Sequence, residues 1–417
     1  MSPATTDPDT VDAPESTAVS EPHSPDAASA PRRAYIHIGA PKTGSTYLQG
    51  VLWRNKEALR EAGLHVLGEN RGDHYRAGSD LRDMPFDPND PRLDWTGAWD
   101  IICSMAAHSS APSVIVSDEH LASLSDDQVR RAVEGLAPRE VHIVYAARGL
   151  AGLLPSEWQE YVKHGSKLDY ATWTTRVLTT PKRGPGRWFW KVHDPAGVVR
   201  RFGSHVPLER IHVITMPPPS AGPDELWHRF AGVLRVDPAV ATDFDVAGNT
   251  SLGWTETEVL RRVNQALPEE FPRWHYIALT RDLLAVKVLS EHSSKGKPSL
   301  PEELQEVMAR RERRIMKGLT SSGCDIVGDV GELAPPSSSR AASPEPTAEE
   351  IGDTAVDAVA GLLVHMARRR DTQRANAHGM RDRLQADPKV RRLRGRLISW
   401  SERNRVVSAA TRRLRAH

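Results

Sequence analysis

Arg33-Ala-Tyr-Ile-His-Ile-Gly39-Ala-Pro-Lys-Thr-Gly44-Ser-Thr46 is the stretch on which the fold turns. Tyr35 to Ile38 read as a short apolar strand that runs straight into a glycine-bearing turn. Ser45 to Ala62 then carry helical spacing (Leu48, Val51, Leu52, Leu59), and Gly63 follows as a stop. A strand, a tight turn and a helix N-terminus together make an anion cradle: the turn's amides converge and the helix dipole adds partial positive charge. The loop from Gly39 to Thr46 is therefore expected to hold a phosphate or sulfate group.

Outward from this loop the same alternation continues. Val114–Val116, Val141–Ala146 and Ile211–Met216 read as strands, with helices at Asp126–Leu136 and around Ser156–Lys163 between them. Strands alternating with helices predict an α/β fold, a parallel sheet flanked by helices. From Trp254 the pattern turns helical, at Glu256–Leu267, His275–Leu289 and Glu302–Leu319, so a helical C-terminal part is expected.

The 417 residues divide unevenly. Residues 1–31 are Ser, Thr, Pro, Ala, Asp and Glu with almost no large apolar side chains, and read as a disordered acidic tail. The α/β domain is expected over 32–334, a Pro/Ser-rich linker over 335–349, and an apolar helix near Ile351–Met366 with an arginine-rich tail over 350–417. Cys103 and Cys324 are the only cysteines; they form neither a disulfide framework nor a metal-ligand spacing. With no basic patch leading an apolar N-terminal run and no stretch of about eighteen apolar residues, a soluble cytoplasmic protein is expected.

The loop discriminates between chemistries. A kinase-type P-loop places lysine directly after its second glycine. Gly39 and Gly44 keep that glycine spacing, but Ser45 stands in the lysine's place and Lys42 lies inside the loop. This arrangement resembles the 5′-phosphosulfate loop of sulfotransferases that use 3′-phosphoadenosine-5′-phosphosulfate (PAPS), and so implies their P-loop NTPase-like fold. By that resemblance Lys42 stabilises the leaving phosphate, Pro41, Thr43, Gly44, Ser45 and Thr46 line the 5′-phosphate site, and Tyr47 stacks on adenine. Arg148, just past Val141–Ala146, and Ser156, eight residues on, match the family's 3′-phosphate pair. A guanidinium at a strand's C-terminal edge suits bidentate grip on phosphate.

The resemblance covers roughly Arg33 to Val236 and is similar to a divergent bacterial branch, through Trp158-Gln-Glu160, Trp190–Asp194 and Asn249–Leu252. The glycine-rich C-terminal segment of cytosolic relatives is replaced at most by Lys295-Gly-Lys297. PAPS and its product PAP are the cofactor pair it implies. The acceptor is a small molecule, glycan or lipid.

Sulfuryl transfer to a hydroxyl needs a base. Ser117, Asp118, Glu119 and His120 follow an apolar strand, where α/β sheets place ligands. Glu119 is the expected base and His120 the second choice; Ser117 or Asp118 would otherwise cap the following helix. His193 and Asp194 form a lesser pair. An ATP- or GTP-using P-loop enzyme, with Asp118 on magnesium, is the rival reading, and a degenerate binding protein the third. Residues 69–94 read as a lid or an ordinary surface loop, and Trp95, Trp99, Trp158, Trp188 and Trp190 as walls of an acceptor cleft or as core residues. The arginines between Arg368 and Arg415 read as a solvated tail with a short docking helix, with peripheral membrane contact as the alternative and no specific nucleic acid expected.

Overall fold

The computed structural model describes residues 31–85, 93–246, 252–292, 296–335 and 343–387, with 390, 392, 393 and 396 beyond them. The acidic N-terminal segment, residues 336–342 of the linker and the end of the arginine-rich tail lie outside the described residues.

Six strands form one sheet: β1 (Arg33–His37), β2 (Leu64–Val66), β3 (Ser113–Ser117), β4 (Glu140–Ala147), β5 (Ile211–Thr215) and β6 (Asp325–Val327). Their order is β2-β3-β1-β4-β5-β6, and every neighbouring pair is parallel. Helices cover both faces, as expected of α/β winding. Strand alternation sorts the two cores. Ala34, Ile36, Val114, Val116, Ile143 and Tyr145 face the larger one. Tyr35, Ile115, Val144 and Ile214 face the other, beneath the helices Ser45–Arg54 and Glu225–Leu234.

From β1 the chain moves toward β2, and from β4 it moves the opposite way toward β5. The crevice beyond the carboxyl ends of β1, β3 and β4 is thus a switch point, where ligands bind in open α/β sheets.

Several sequence expectations are corrected. The sheet has two more strands than expected, because β2 and β6 are three residues each, too short to show a period. The helix foreseen over 45–62 breaks at Asn55, whose Nδ2 donates to the carbonyls of Val51 (2.9 Å) and Asp243 (2.8 Å). The helix foreseen from Ser156 starts at Leu150, with Pro155 inside it. Part of the foreseen lid is a helix, Arg71–Leu81, started by an Asn70–Asp73 capping box; residues 86–92 lie outside the described ones. The apolar helix near Ile351–Met366 runs from Ala348 to Ala386. Its residues Ile351, Ala355, Ala358 and Leu362 pack on the domain core.

Candidate functional site

The loop after β1 is built by conformations that only certain residues tolerate. Gly39 and Gly44 have φ of 88° and 85°, in the left-handed region. A Cβ on Gly39 would lie 2.8 Å from the Cα of Glu119, so the loop and the end of β3 meet backbone to backbone. Lys42 itself has φ 61°. The Thr43 and Ser45 hydroxyls both donate to the Ala40 carbonyl, at 2.6 and 2.9 Å. Among the described residues, no main-chain carbonyl accepts from the amides of Lys42 to Thr46. Amides left in this state around a left-handed turn at a helix N-terminus are the donor set an anion requires.

Two cationic groups flank these amides. Lys42 Nζ donates to Glu160 Oε2 at 2.6 Å, across 118 residues of sequence. Burial, the largest single influence, opposes the lysine's charge; Glu160, with Glu157 and Glu119, outweighs it and holds the pKa above the ordinary value. Arg148 reaches back from the end of β4, and its Nη1 donates to the Lys42 carbonyl at 3.1 Å. Burial lowers its pKa, but a guanidinium keeps its charge at neutral pH regardless. Ser156 lies two turns along the next helix, half-buried, its hydroxyl donating to the Gly152 carbonyl at 3.0 Å. Tyr47 packs against the core beneath Glu225–Leu234.

On the other side of β1 the residues after β3 form a dyad. Asp118 Oδ1 accepts from both the backbone amide and Nδ1 of His120, each at 2.8 Å. Burial resists the Asp118 charge, yet His120 and Arg82 outweigh it and hold the carboxyl below its usual range. Burial likewise resists the His120 cation, and Asp118 more than compensates, so the imidazole pKa stands above its ordinary value. The side chain of His120 is 35% exposed, against 5% for Asp118. Gly78 makes room for the dyad, since a Cβ there would stand well inside contact distance of the Asp118 carboxylate. Asp118 thus caps the short helical turn Glu119–Ser123 and orients His120 as well. Glu119 is half-buried at the start of that turn.

Two buried histidines support the strand ends. His74 Nδ1 accepts the Ser117 amide at 3.2 Å, so its Nε2 carries the proton and donates to the Leu67 carbonyl at 2.7 Å. His37 meets the Ser117 hydroxyl through Nδ1 at 2.7 Å.

The lesser pair divides. His193 lies 3.4 Å from Glu157 Oε1, both buried, one turn of helix from Glu160. Asp194 instead stands at the start of the helix Pro195–Phe202. Trp99 and Trp158 are core residues, at 1% and 0% exposure, not cleft walls. Trp190 is half-buried with Nε1 bonded to the Val177 carbonyl (2.6 Å), Trp95 meets Tyr75 edge-on, and Trp188 is exposed. Gln159 donates to the Leu252 carbonyl at 2.8 Å, joining two of the segments noted in the sequence; Asn249 to Ser251 and Lys295 lie outside the described residues. Glu160, the partner of Lys42, lies in the Trp158-Gln-Glu160 segment with Lys163 and His164 just after it, a local charge cluster that is the one sequence signal of its role.

Among the described residues no group of three or more His, Cys, Asp or Glu is placed to hold a metal ion. No described helix is long and apolar enough to cross a membrane.

No family model matches the chain, and no curated protein matches it. Among solved structures it is similar to a sulfotransferase from Alicyclobacillus acidocaldarius, at 12% identity and a TM-score of 0.34, over 53% of this chain and 87% of that one. A likeness that slight says nothing of the reaction.

Proposed function

We propose that the chain is a PAPS-dependent sulfotransferase, moving a sulfuryl group to a hydroxyl or amine of an acceptor. The observation that carries this reading is the set of unclaimed amides from Lys42 to Thr46, flanked by the Lys42 ammonium and the Arg148 guanidinium. The residues present fit the donor: the amides of 43–46 and the Thr46 hydroxyl for the 5′-phosphate, Arg148 and Ser156 for the 3′-phosphate, and Lys42 for the bridging oxygen. When bound, PAPS supplies the sulfuryl group and a nucleotide bisphosphate leaving group.

Lys42 holds its charge in the ground state through Glu160 and presents it where negative charge develops on the leaving oxygen. On the acceptor side, Asp118 fixes Nδ1 of His120 as a proton donor, which leaves Nε2 as the lone pair able to take a proton. That division of roles favours His120 as base over Glu119, the first choice from sequence. Glu119 packs against the loop at Gly39 and adds to the field on Lys42.

Asp118 at the end of the strand beside β1 also suits the rival reading, a magnesium-dependent ATP or GTP enzyme. Its Oδ1 already accepts two hydrogen bonds from His120. Thermal denaturation decides. PAP should raise the midpoint without magnesium, and less so in Arg148→Ala. Stabilisation by ATP only with magnesium would establish the rival, and no response to either nucleotide would leave a binding protein without this chemistry.

A further inference from the structure

The helix Ala348–Ala386 has two apolar faces. One, through Ile351, Ala355, Ala358 and Leu362, packs on the domain. The other lies about a quarter turn round the helix: Val356, Val359, Leu363 and Met366, exposed by 68, 57, 62 and 62%. Their spacing of three, four and three residues is that of a helix–helix seam, in which each side chain seats between four of a facing helix. Four large apolar side chains so exposed on one ordered helix are unusual on a surface facing only water.

The charges on the same helix identify the occupant. Glu349, Asp353 and Asp357 are exposed at its acidic start, and Arg368, Arg369 and Arg370 are exposed beyond the apolar stripe. The stripe is centred near Gly361. Reversing a second helix about that centre sets Met366 against Val356 and Leu363 against Val359. The same operation brings Asp353 of each helix beside Arg370 of the other, which lies within the seam itself. We propose that this face joins two copies of the chain in a two-fold antiparallel helix pair. The contact is self-complementary in both shape and charge, as an isologous interface must be. Opposed helix dipoles favour the same direction. A parallel pairing would instead stack acid on acid and arginine on arginine. An anionic membrane would be repelled by Glu349 and Asp353, the carboxylates flanking the acidic end of the stripe.

Sedimentation velocity of the full chain tests the pairing. The wild type should run as a dimer, and Leu363→Glu as a monomer with unchanged circular dichroism, since that side chain is already exposed. Asp353→Arg and Arg370→Asp should each weaken the dimer by about tenfold or less, and the double substitution should restore it. A wild-type monomer overturns the proposal, as does a dimer that survives Leu363→Glu. So does a monomer that floats with phosphatidylserine vesicles through this face, lost on the same substitution.

Discussion

Lys42 Nζ and Glu160 Oε2 stand 2.6 Å apart, an ion pair that joins the loop after β1 to the helix after β4. Glu160 also faces Lys163 at 3.6 Å and His164 at 3.2 Å. Burial works against this carboxylate, but the hydrogen bond from His164 and the charges of Lys42 and Lys163 outweigh it and hold its pKa far below the usual range. The lysine is therefore held in place and charged before any anion arrives, and an arriving anion meets a carboxylate that must share it.

Two substitutions separate these effects. Lys42→Ala should weaken PAP binding by about tenfold and lower sulfuryl transfer by about a thousandfold, because the lysine matters most where charge develops. Glu160→Gln removes a negative charge beside the site, so PAP should bind several-fold more tightly while transfer falls. Calorimetric titration with PAP, alongside steady-state transfer rates, measures both. Unchanged PAP affinity in Lys42→Ala would remove the lysine from the binding site.

The Asp118–His120 dyad makes a prediction about pH. A base must be unprotonated, so transfer should rise with pH through the His120 pKa, which Asp118 holds above the ordinary imidazole value. Asp118→Asn should move that rising limb to lower pH, while Glu119→Gln leaves its position alone. If instead Glu119→Gln abolishes transfer and the limb does not respond to Asp118→Asn, Glu119 is the base.

Acid should destabilise the fold through His37 and His74. Burial, the largest influence on each, drives both rings down to about 4. Between pH 6.5 and 4 the unfolded chain therefore binds protons that the folded one refuses, so stability falls as pH falls through that window. The loss reaches about 3 kcal/mol per ring at its lower end. His37→Asn, which can keep a bond to Ser117, should reduce the slope of thermal midpoint against pH by about half across this window. An unaltered slope would place the acid sensitivity elsewhere.

Glu312 acts in the opposite sense. It lies buried on the helix Glu302–Thr320, and burial pushes its carboxyl up to about 7, although the amides of Leu150 and Ala151 pull the other way. The folded chain keeps a proton that the unfolded one has released, so stability declines as pH rises from about 4.5 to 7. Glu312→Gln should stabilise the protein by about 2 kcal/mol at pH 8 and have little effect at pH 4, measured by urea denaturation. Equal effects at both values would trace the change to packing alone.

The sequence announced the central strands because β1, β3, β4 and β5 are buried on both faces and read as short, mostly apolar runs broken only by single polar residues such as His142 and His212. The edge strands β2 and β6 owe their conformation to neighbours and carry no pattern of their own. The tight turn after β1 was legible because Gly39 and Gly44 sit where only a left-handed residue fits. Its partners were harder to read. Nothing local in Glu160 points 118 residues back to Lys42, and only the parallel winding brings them together. Asp118 and His120 were read as alternatives, a cap or a base, whereas one carboxylate serves the turn and the imidazole together. Trp99 and Trp158 take the core alternative, which the sequence leaves open because a tryptophan's chemistry does not tell whether its ring faces ligand or core.

Because the Lys42 loop leaves β1 and Arg148 leaves β4, the two halves of the anion site are spaced by adjacent rungs of one ladder. His37 pairs with Val144, and the Ala40 amide continues the pairing to Ala146 at 3.2 Å. Neighbouring strands keep a separation of about 4.8 Å whatever side chains they carry. Under the proposed function, the sheet acts as a ruler between two points of negative charge on one ligand. The loops can drift in sequence without changing the span, whereas a one-residue slip between β1 and β4 would carry Arg148 about 3.3 Å along the strand and defeat any ligand gripped at both ends.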